Sequence, residues 1–170
     1  IKMSILNNIQ KKDNYIIFDI KNKDDLIFTS LVNSIRRTIL SDIETWCINP
    51  LETTFYDNSS VLNNEFISHR LSLVPIKSDL KNIDYDSINI ECKKKNEDEE
   101  IIGVYVRDFI VTDKKSGEKI DNNIFFPYPD ILIANLKYNQ NIYFECKINK
   151  KSVVNGGTSA HCPVCTCVHT

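Results

Sequence analysis

The sequence predicts an α+β fold, with two amphipathic helices in the first half and a mainly β stretch after them. Three observations predict it. Apolar residues recur at spacings of three and four through Phe28, Leu31, Val32, Ile35, Ile39 and Ile43, the period of a half-buried helix. A second run of this kind carries Leu62, Phe66, Ile67, Leu71 and Leu73 ahead of Pro75. Beyond Ile76 the period falls to two. It is clearest where Ile142, Phe144, Cys146 and Ile148 alternate with Tyr143, Glu145 and Lys147, as in a strand with one face in a core. Helices early and strands late favour an α+β arrangement over an alternating parallel sheet.

In order along the chain, Tyr15–Ile20 (YIIFDI) reads as a first strand, and the polar turn Lys21–Asp25 leads into the first helix. Thr29 or Ser30 is its capping candidate. Asn33, Arg36, Arg37 and Leu40 fall together on another side of that helix. Glu44–Tyr56 is mixed, and Pro50 predicts two short strands on either side of it. Asn58, Ser59 and Ser60 are candidate caps of the second helix, which Pro75 ends. On that helix Glu65, His69 and Arg70 lie near one another at helical spacing. Ile88, Ile90 and Cys92 mark a half-buried strand, and the charge run Lys93–Glu100 reads as a solvated hairpin tip. Val104–Thr112 reads as one strand, Lys114–Glu118 as a turn, and Ile131–Leu136 as a further apolar segment.

A chain of 170 residues can bury one substantial core, or two small ones sharing a boundary. The formal net charge is −2. A protein held on nucleic acid mainly through phosphates carries a basic excess, so direct duplex binding is not expected. No run of about 18 apolar residues exists, and no membrane span is expected. Residues 1–14 lack the apolar centre of a secretory signal; the first residue is Ile, so the start of the natural product is expected upstream. Cys47, Cys92 and Cys146 sit in apolar strand-like segments and read as small buried hydrophobes in a reducing compartment. The 25 Ile, 19 Asn and 17 Lys against 4 Arg are residues of AT-rich codons.

The residues are more specific than their periodicity. N-x-x-R-R at Asn33–Arg37 is followed by N-S-S-V-L-x-x-E-F-I-x-H-R-L-x-L-x-P from Asn58 to Pro75. Together they closely resemble the signature of the alpha-like subunits of multisubunit DNA-directed RNA polymerase, of the archaeal–eukaryotic kind. V-Y-V-R-D-F-I at Val104–Ile110, P-D-I-L-I-A-N-L at Pro129–Leu136 and G-G-T-S-A-H-C-P-V at Gly156–Val164 extend it. The resemblance implies an alpha-like dimerisation domain of strands plus two helices, at residues 1–48 and 149–170. It also implies a mainly β insert at 49–148 that includes the helix at 60–73. The implied role is a non-catalytic assembly subunit. It would pair with a smaller alpha-like subunit, dock the second-largest and largest subunits, and meet DNA only through the complex. Asn33, Arg36, Arg37, Glu65, His69 and Arg70 are its candidate interface residues. The implied setting is intracellular, in nucleus or cytoplasm, or in a virion or viral factory; a large DNA virus is one candidate source.

The sequence departs from the family in three places. The segment Ala160–Val164 is one residue shorter, the insert has only Cys92 where many members carry a cysteine cluster, and the sequence stops at Thr170 before the family's long dimerisation helix.

Other chemistries leave a weaker trace. Cys162 and Cys165 have the C-x-x-C spacing of zinc ligands, and Cys167, His161 or His169 could complete a tetrahedral set, but no second ligand pair is evident. A small zinc-stabilised interaction module is therefore the alternative reading, and otherwise no cofactor is expected. No G-x-S-x-G, H-E-x-x-H or phosphate-cradling glycine loop occurs. The acidic residues show no Mg²⁺-binding pattern, so no catalytic residues are expected in this chain.

Overall fold

The computed structural model describes residues 6–12, 15–20, 25–77, 80, 84–164 and 167–168, with backbone only at 6 and 25–28. In chain order the elements are β1 (Leu6–Lys12), β2 (Tyr15–Ile20), α1 (Asp25–Ser41), β3 (Thr45–Asn58), α2 (Asn64–Ser72), β4 (Ile88–Lys95), β5 (Ile102–Tyr105), β6 (Ile110–Asp113), β7 (Lys119–Ile120), α3 (Asn122–Phe125), β8 (Leu132–Leu136) and β9 (Asn141–Lys151). The result is α+β. All strand pairing is antiparallel: a β1–β2 hairpin, a five-stranded sheet in the order β3-β9-β4-β6-β7, and a β5–β8 pair. No helix among the described residues is long and apolar enough to cross a membrane.

The period-two reading of β9 translates directly into packing. Ile142, Phe144, Cys146 and Ile148 are buried and face a core shared with Ile88, Ile90 and Cys92 of β4. Ile67 and Leu71 of α2, with Val74 just beyond it, close one side of that core. Phe109, Phe125, Phe126 and Phe144 fill the centre with edge-to-face contacts at centroid separations of 5.0–5.9 Å, the arrangement favoured by ring quadrupoles. Trp46 stacks on Tyr85 at 4.9 Å, and the Tyr85 hydroxyl donates to the Lys77 carbonyl at 2.6 Å.

Several expectations are corrected in detail. Pro50 does not split Glu44–Tyr56 into two strands. Instead β3 runs through it on a wide bulge, where the register passes from Ile48 opposite Ile148 to Thr53 opposite Cys146. Proline is tolerated there because β3 is an edge strand and the bulge needs no ladder donor at that point. Asn49 organises the bulge: its Oδ1 accepts from the Leu51 N–H at 3.1 Å and its Nδ2 donates to Glu52 at 2.7 Å.

Val104–Thr112 is not one strand either. A 3₁₀ turn at Val106–Asp108 breaks it, so β5 pairs with β8 while β6 joins the large sheet. The Asp108 carboxylate fixes the break, accepting from the Tyr105 N–H and the Lys94 ammonium, both at 2.7 Å.

Asn63, not Asn58, Ser59 or Ser60, caps α2, its Oδ1 accepting from the Phe66 N–H at 2.9 Å. Phe66 and Leu73, read as part of the apolar side of this helix, are exposed. The charge run Lys93–Glu100 contains Asn96, which is wholly buried. Its Nδ2 donates to the Glu100 and Leu136 carbonyls and its Oδ1 accepts from the Asp98 N–H. The exposed acidic tip is thus anchored by one buried amide.

Candidate subunit interface

The N-terminal elements leave apolar surface uncovered. β1 and β2 pair with each other, yet Ile9, Tyr15, Ile16 and Ile17 are exposed on them. Leu31 of α1 is exposed as well. An isolated two-stranded hairpin is marginal in water, and several aliphatic side chains on this one are left to solvent.

The two clusters singled out in the sequence sit differently. Asn33, Arg36 and Arg37 occupy one side of α1, Asn33 and Arg36 half-buried and Arg37 exposed. Neither guanidinium makes a hydrogen bond or ion pair among the described residues, so both charges are available to an acceptor outside the chain. The second cluster divides on α2. Glu65 and His69, one helical turn apart, are exposed and make no side-chain hydrogen bond or ion pair among the described residues. Arg70 turns inward, where Nη2 donates to the Leu132 carbonyl of β8 at 2.7 Å. Its Nε is enclosed without a hydrogen-bond partner among the described residues. The structure therefore gives Arg70 a tie between α2 and β8. Among the described residues α1 and α2 share no extensive contact.

Of the zinc candidates, His161, Cys162 and Cys167 lie among the described residues. Cys165 and His169 lie outside the described residues. The half-buried Cys162 thiol donates to the Val164 carbonyl at 3.0 Å. Among the described residues no three His, Cys, Asp or Glu side chains converge. Cys92 and Cys146 are buried in the sheet core, where burial pushes the Cys92 thiol up to about 12 and raises that of Cys146.

His161 has a different use, which sequence reading missed. It is buried, and the Thr158 N–H donates to its Nδ1 at 3.0 Å. The ring proton is therefore on Nε2, which lies 3.0 Å from both Asn149 Oδ1 and Cys47 Sγ. A Cys–His–Asn set invites a nucleophile reading, but the geometry opposes it. The nitrogen facing the thiol carries the proton and cannot accept another. Burial also pushes the Cys47 thiol up to about 11 and lowers the His161 pKa, so both groups are held neutral. With Thr45 Oγ1 donating to the His161 carbonyl at 2.7 Å, the cluster fastens the segment after β9 to the start of β3. No sequence spacing signals it, because its members are brought together from residues 47, 149 and 161.

No protein-family model matches the chain. Individual relatives do. It is 31% identical over 83 residues to the DNA-directed RNA polymerase subunit Rpo3 of Pyrococcus furiosus, covering 49% of this chain and 30% of that protein. It is 39% identical over 87 residues to the DNA-directed RNA polymerase II subunit rpb3 of Dictyostelium discoideum, covering 51% and 26%. Over these segments the chain is similar to subunits of DNA-directed RNA polymerase. Subunit 3 of the Arabidopsis thaliana RNA polymerases II, IV and V is likewise 41% identical over 68 residues, covering 40% of this chain and 19% of that protein. The alpha-like match therefore spans less than a third of each of these relatives. All three come from cellular organisms.

Proposed function

We propose that this chain is a non-catalytic assembly subunit of a multisubunit DNA-directed RNA polymerase. The observation that carries the reading is the combination of the alpha-like sequence match with an uncovered apolar hairpin at the N-terminal end. Exposed Ile9, Ile16 and Ile17 of the hairpin form surface for a smaller alpha-like subunit, because burying aliphatic area stabilises association by about 25 cal/mol per Å². Asn33, Arg36 and Arg37 on α1 meet a large subunit, for which the guanidinium fork is suited since it can bind carboxylates or carbonyls in pairs. Glu65 and His69 contribute from α2. In this reading residues 1–48 and 149–170 act as the pairing domain and 49–148 as the insert, with the β3–β9 ladder running through both. The intracellular transcription apparatus is the proposed setting, and contact with DNA is indirect.

The test is affinity isolation of the tagged chain from its native source at moderate salt, with mass spectrometry of what is retained. Recovery of two very large polymerase subunits with a small alpha-like chain is expected. Recovery of the chain alone, or only as a homodimer, overturns the proposal.

A further inference from the structure

In the turn after β9 the backbone N–H groups are claimed at 154, 155 and 157 but not at 156. The Val154 N–H donates to the Ser41 carbonyl at 3.2 Å, the Asn155 N–H to Ser152 Oγ at 3.2 Å and the Gly157 N–H to the Ser152 carbonyl at 3.0 Å. The Gly156 N–H between them has no acceptor among the described residues. Asn155, just before it, is exposed, and its side-chain amide makes no hydrogen bond among the described residues. Gly156 is exposed as well, at φ +73°, and the space a Cβ would fill there is open. An unhindered, unbonded backbone nitrogen thus stands one ring closure from an unbonded side-chain amide, and such proximity makes attack effectively unimolecular.

We infer that Asn155 is a self-modification site, converting to aspartate and isoaspartate with no reagent but water. The Gly156 nitrogen gives its proton to hydroxide and bonds to Asn155 Cγ. The Cγ–Nδ2 bond breaks, the amide takes a proton and leaves as ammonia, and a succinimide closes. Water then opens the ring. Attack at Cγ gives aspartate on the original main chain, and attack at the main-chain carbonyl carbon gives isoaspartate, with the chain rerouted through Cγ. One water is consumed and one ammonia released, with no change of oxidation state.

The fold selects this asparagine over others that precede a small residue. Asn58 precedes Ser59, but its Nδ2 donates to the Leu62 carbonyl at 2.9 Å and to Asn64 at 2.7 Å, and the Ser59 N–H is held by the Asn141 carbonyl at 3.0 Å. Asn33 precedes Ser34 inside α1, where the attacking nitrogen belongs to the helical ladder. The same turn sets the consequence. Isoaspartate adds a methylene to the main chain and a negative charge inside the loop that the Ser152–Gly157 bond closes. Lengthening that loop opens it and loosens the tie of His161 to Cys47 and Asn149.

The test incubates the purified full chain at physiological temperature and mildly alkaline pH, beside a synthetic peptide of residues 151–160 as the rate standard. Peptide mapping by mass spectrometry, with chromatographic separation of the isoaspartyl form, follows each asparagine. Position 155 should convert on the time scale of the peptide while Asn58 and Asn33 stay intact, and Asn155→Gln should abolish the reaction at this position. The rate should rise about tenfold for each unit of pH, as the anionic fraction of a weak acid does well below its pKa. Asn155 unchanged after the peptide has reacted overturns the inference, and Asn58 reacting as fast as Asn155 overturns selection by the fold. The isoaspartyl form should exchange the His161 amide faster than the Asn155→Asp variant, which carries the charge without the added methylene. Equal exchange in the two overturns the loosening of the His161 tie.

Discussion

Arg36, Arg37 and Arg70 should separate cleanly in a stability and assembly experiment, because the structure gives them different partners. Arg36 and Arg37 make no intrachain polar contact among the described residues, and alanine is at least as good a helix former as arginine. The double substitution Arg36→Ala, Arg37→Ala should therefore change folding stability by no more than about 0.5 kcal/mol, a shift of roughly 2 °C or less in Tm for a chain of this size. Arg70→Ala removes a charge-assisted bond to the Leu132 carbonyl, which is worth about 1.5–3 kcal/mol. Loss of the enclosed, unpartnered Nε offsets part of this, so the expected cost is about 1–2 kcal/mol, or roughly 2–8 °C in Tm. Capture of a large subunit should show the reverse order. Truncating an interface arginine at a well-packed site costs about 2 kcal/mol or more, near thirtyfold in affinity. The assay is thermal melting of each purified variant, followed by co-purification with the polymerase. Melting of the Arg36, Arg37 double variant as low as that of Arg70→Ala would refute the reasoning. So would a double variant that folds and still captures the large subunits at the wild-type level.

Three further outcomes are expected. Asn96→Ala strips the partner from the buried Leu136 carbonyl and frees the Glu97–Glu100 tip; it should cost about 2–4 kcal/mol in urea unfolding, and an unchanged midpoint would contradict the anchoring role. His161 is held neutral by burial, so the unfolded chain takes up its proton first. Its contribution is present above about pH 6.5 and is lost as pH falls below that toward the lowered folded value, so stability should fall from pH 7.5 to 5 more steeply than in His161→Gln. Gly157→Ala would bring a Cβ to 2.4 Å from the Ser152 carbonyl oxygen; it should destabilise the segment after β9 and raise amide exchange at His161, whereas unaltered exchange would speak against a tight turn there.

Much of the scaffold was legible because its signals are local. The alternation in β9 and β4, the strand at Tyr15–Ile20 and the existence of both helices follow from residues within one element. Their periods are set by backbone geometry alone. Where the reading failed, a partner distant in sequence decided. Pro50 looks like a strand breaker, but it sits on an edge strand whose bulge Asn49 stabilises. Val104–Thr112 alternates like one strand, yet Lys94 from β4 meets Asp108 and helps fix the turn that sends its halves into two sheets. Phe66 has helical spacing but faces outward, because Ile67 and Leu71 claim the side of α2 that meets the core.

The candidate site shows the same division. The family resemblance marked Asn33, Arg36, Arg37, Glu65, His69 and Arg70 as candidates, where residue type and spacing alone gave only two helices with polar faces. Which of them face outward was set only when the chain closed. Arg70 found the Leu132 carbonyl across 62 positions of sequence, while Glu65 and His69 were left beside a groove opened by the β3 bulge. His161 stood in a cysteine-rich motif, but its ring reached residues 47 and 149. The sequence by itself determined the periods, the chemical types available and the family resemblance, since these are properties of neighbouring residues. The tertiary structure alone decided burial, hydrogen-bond partners and which charges remain unpaired, because those depend on contacts between segments that the chain order keeps apart.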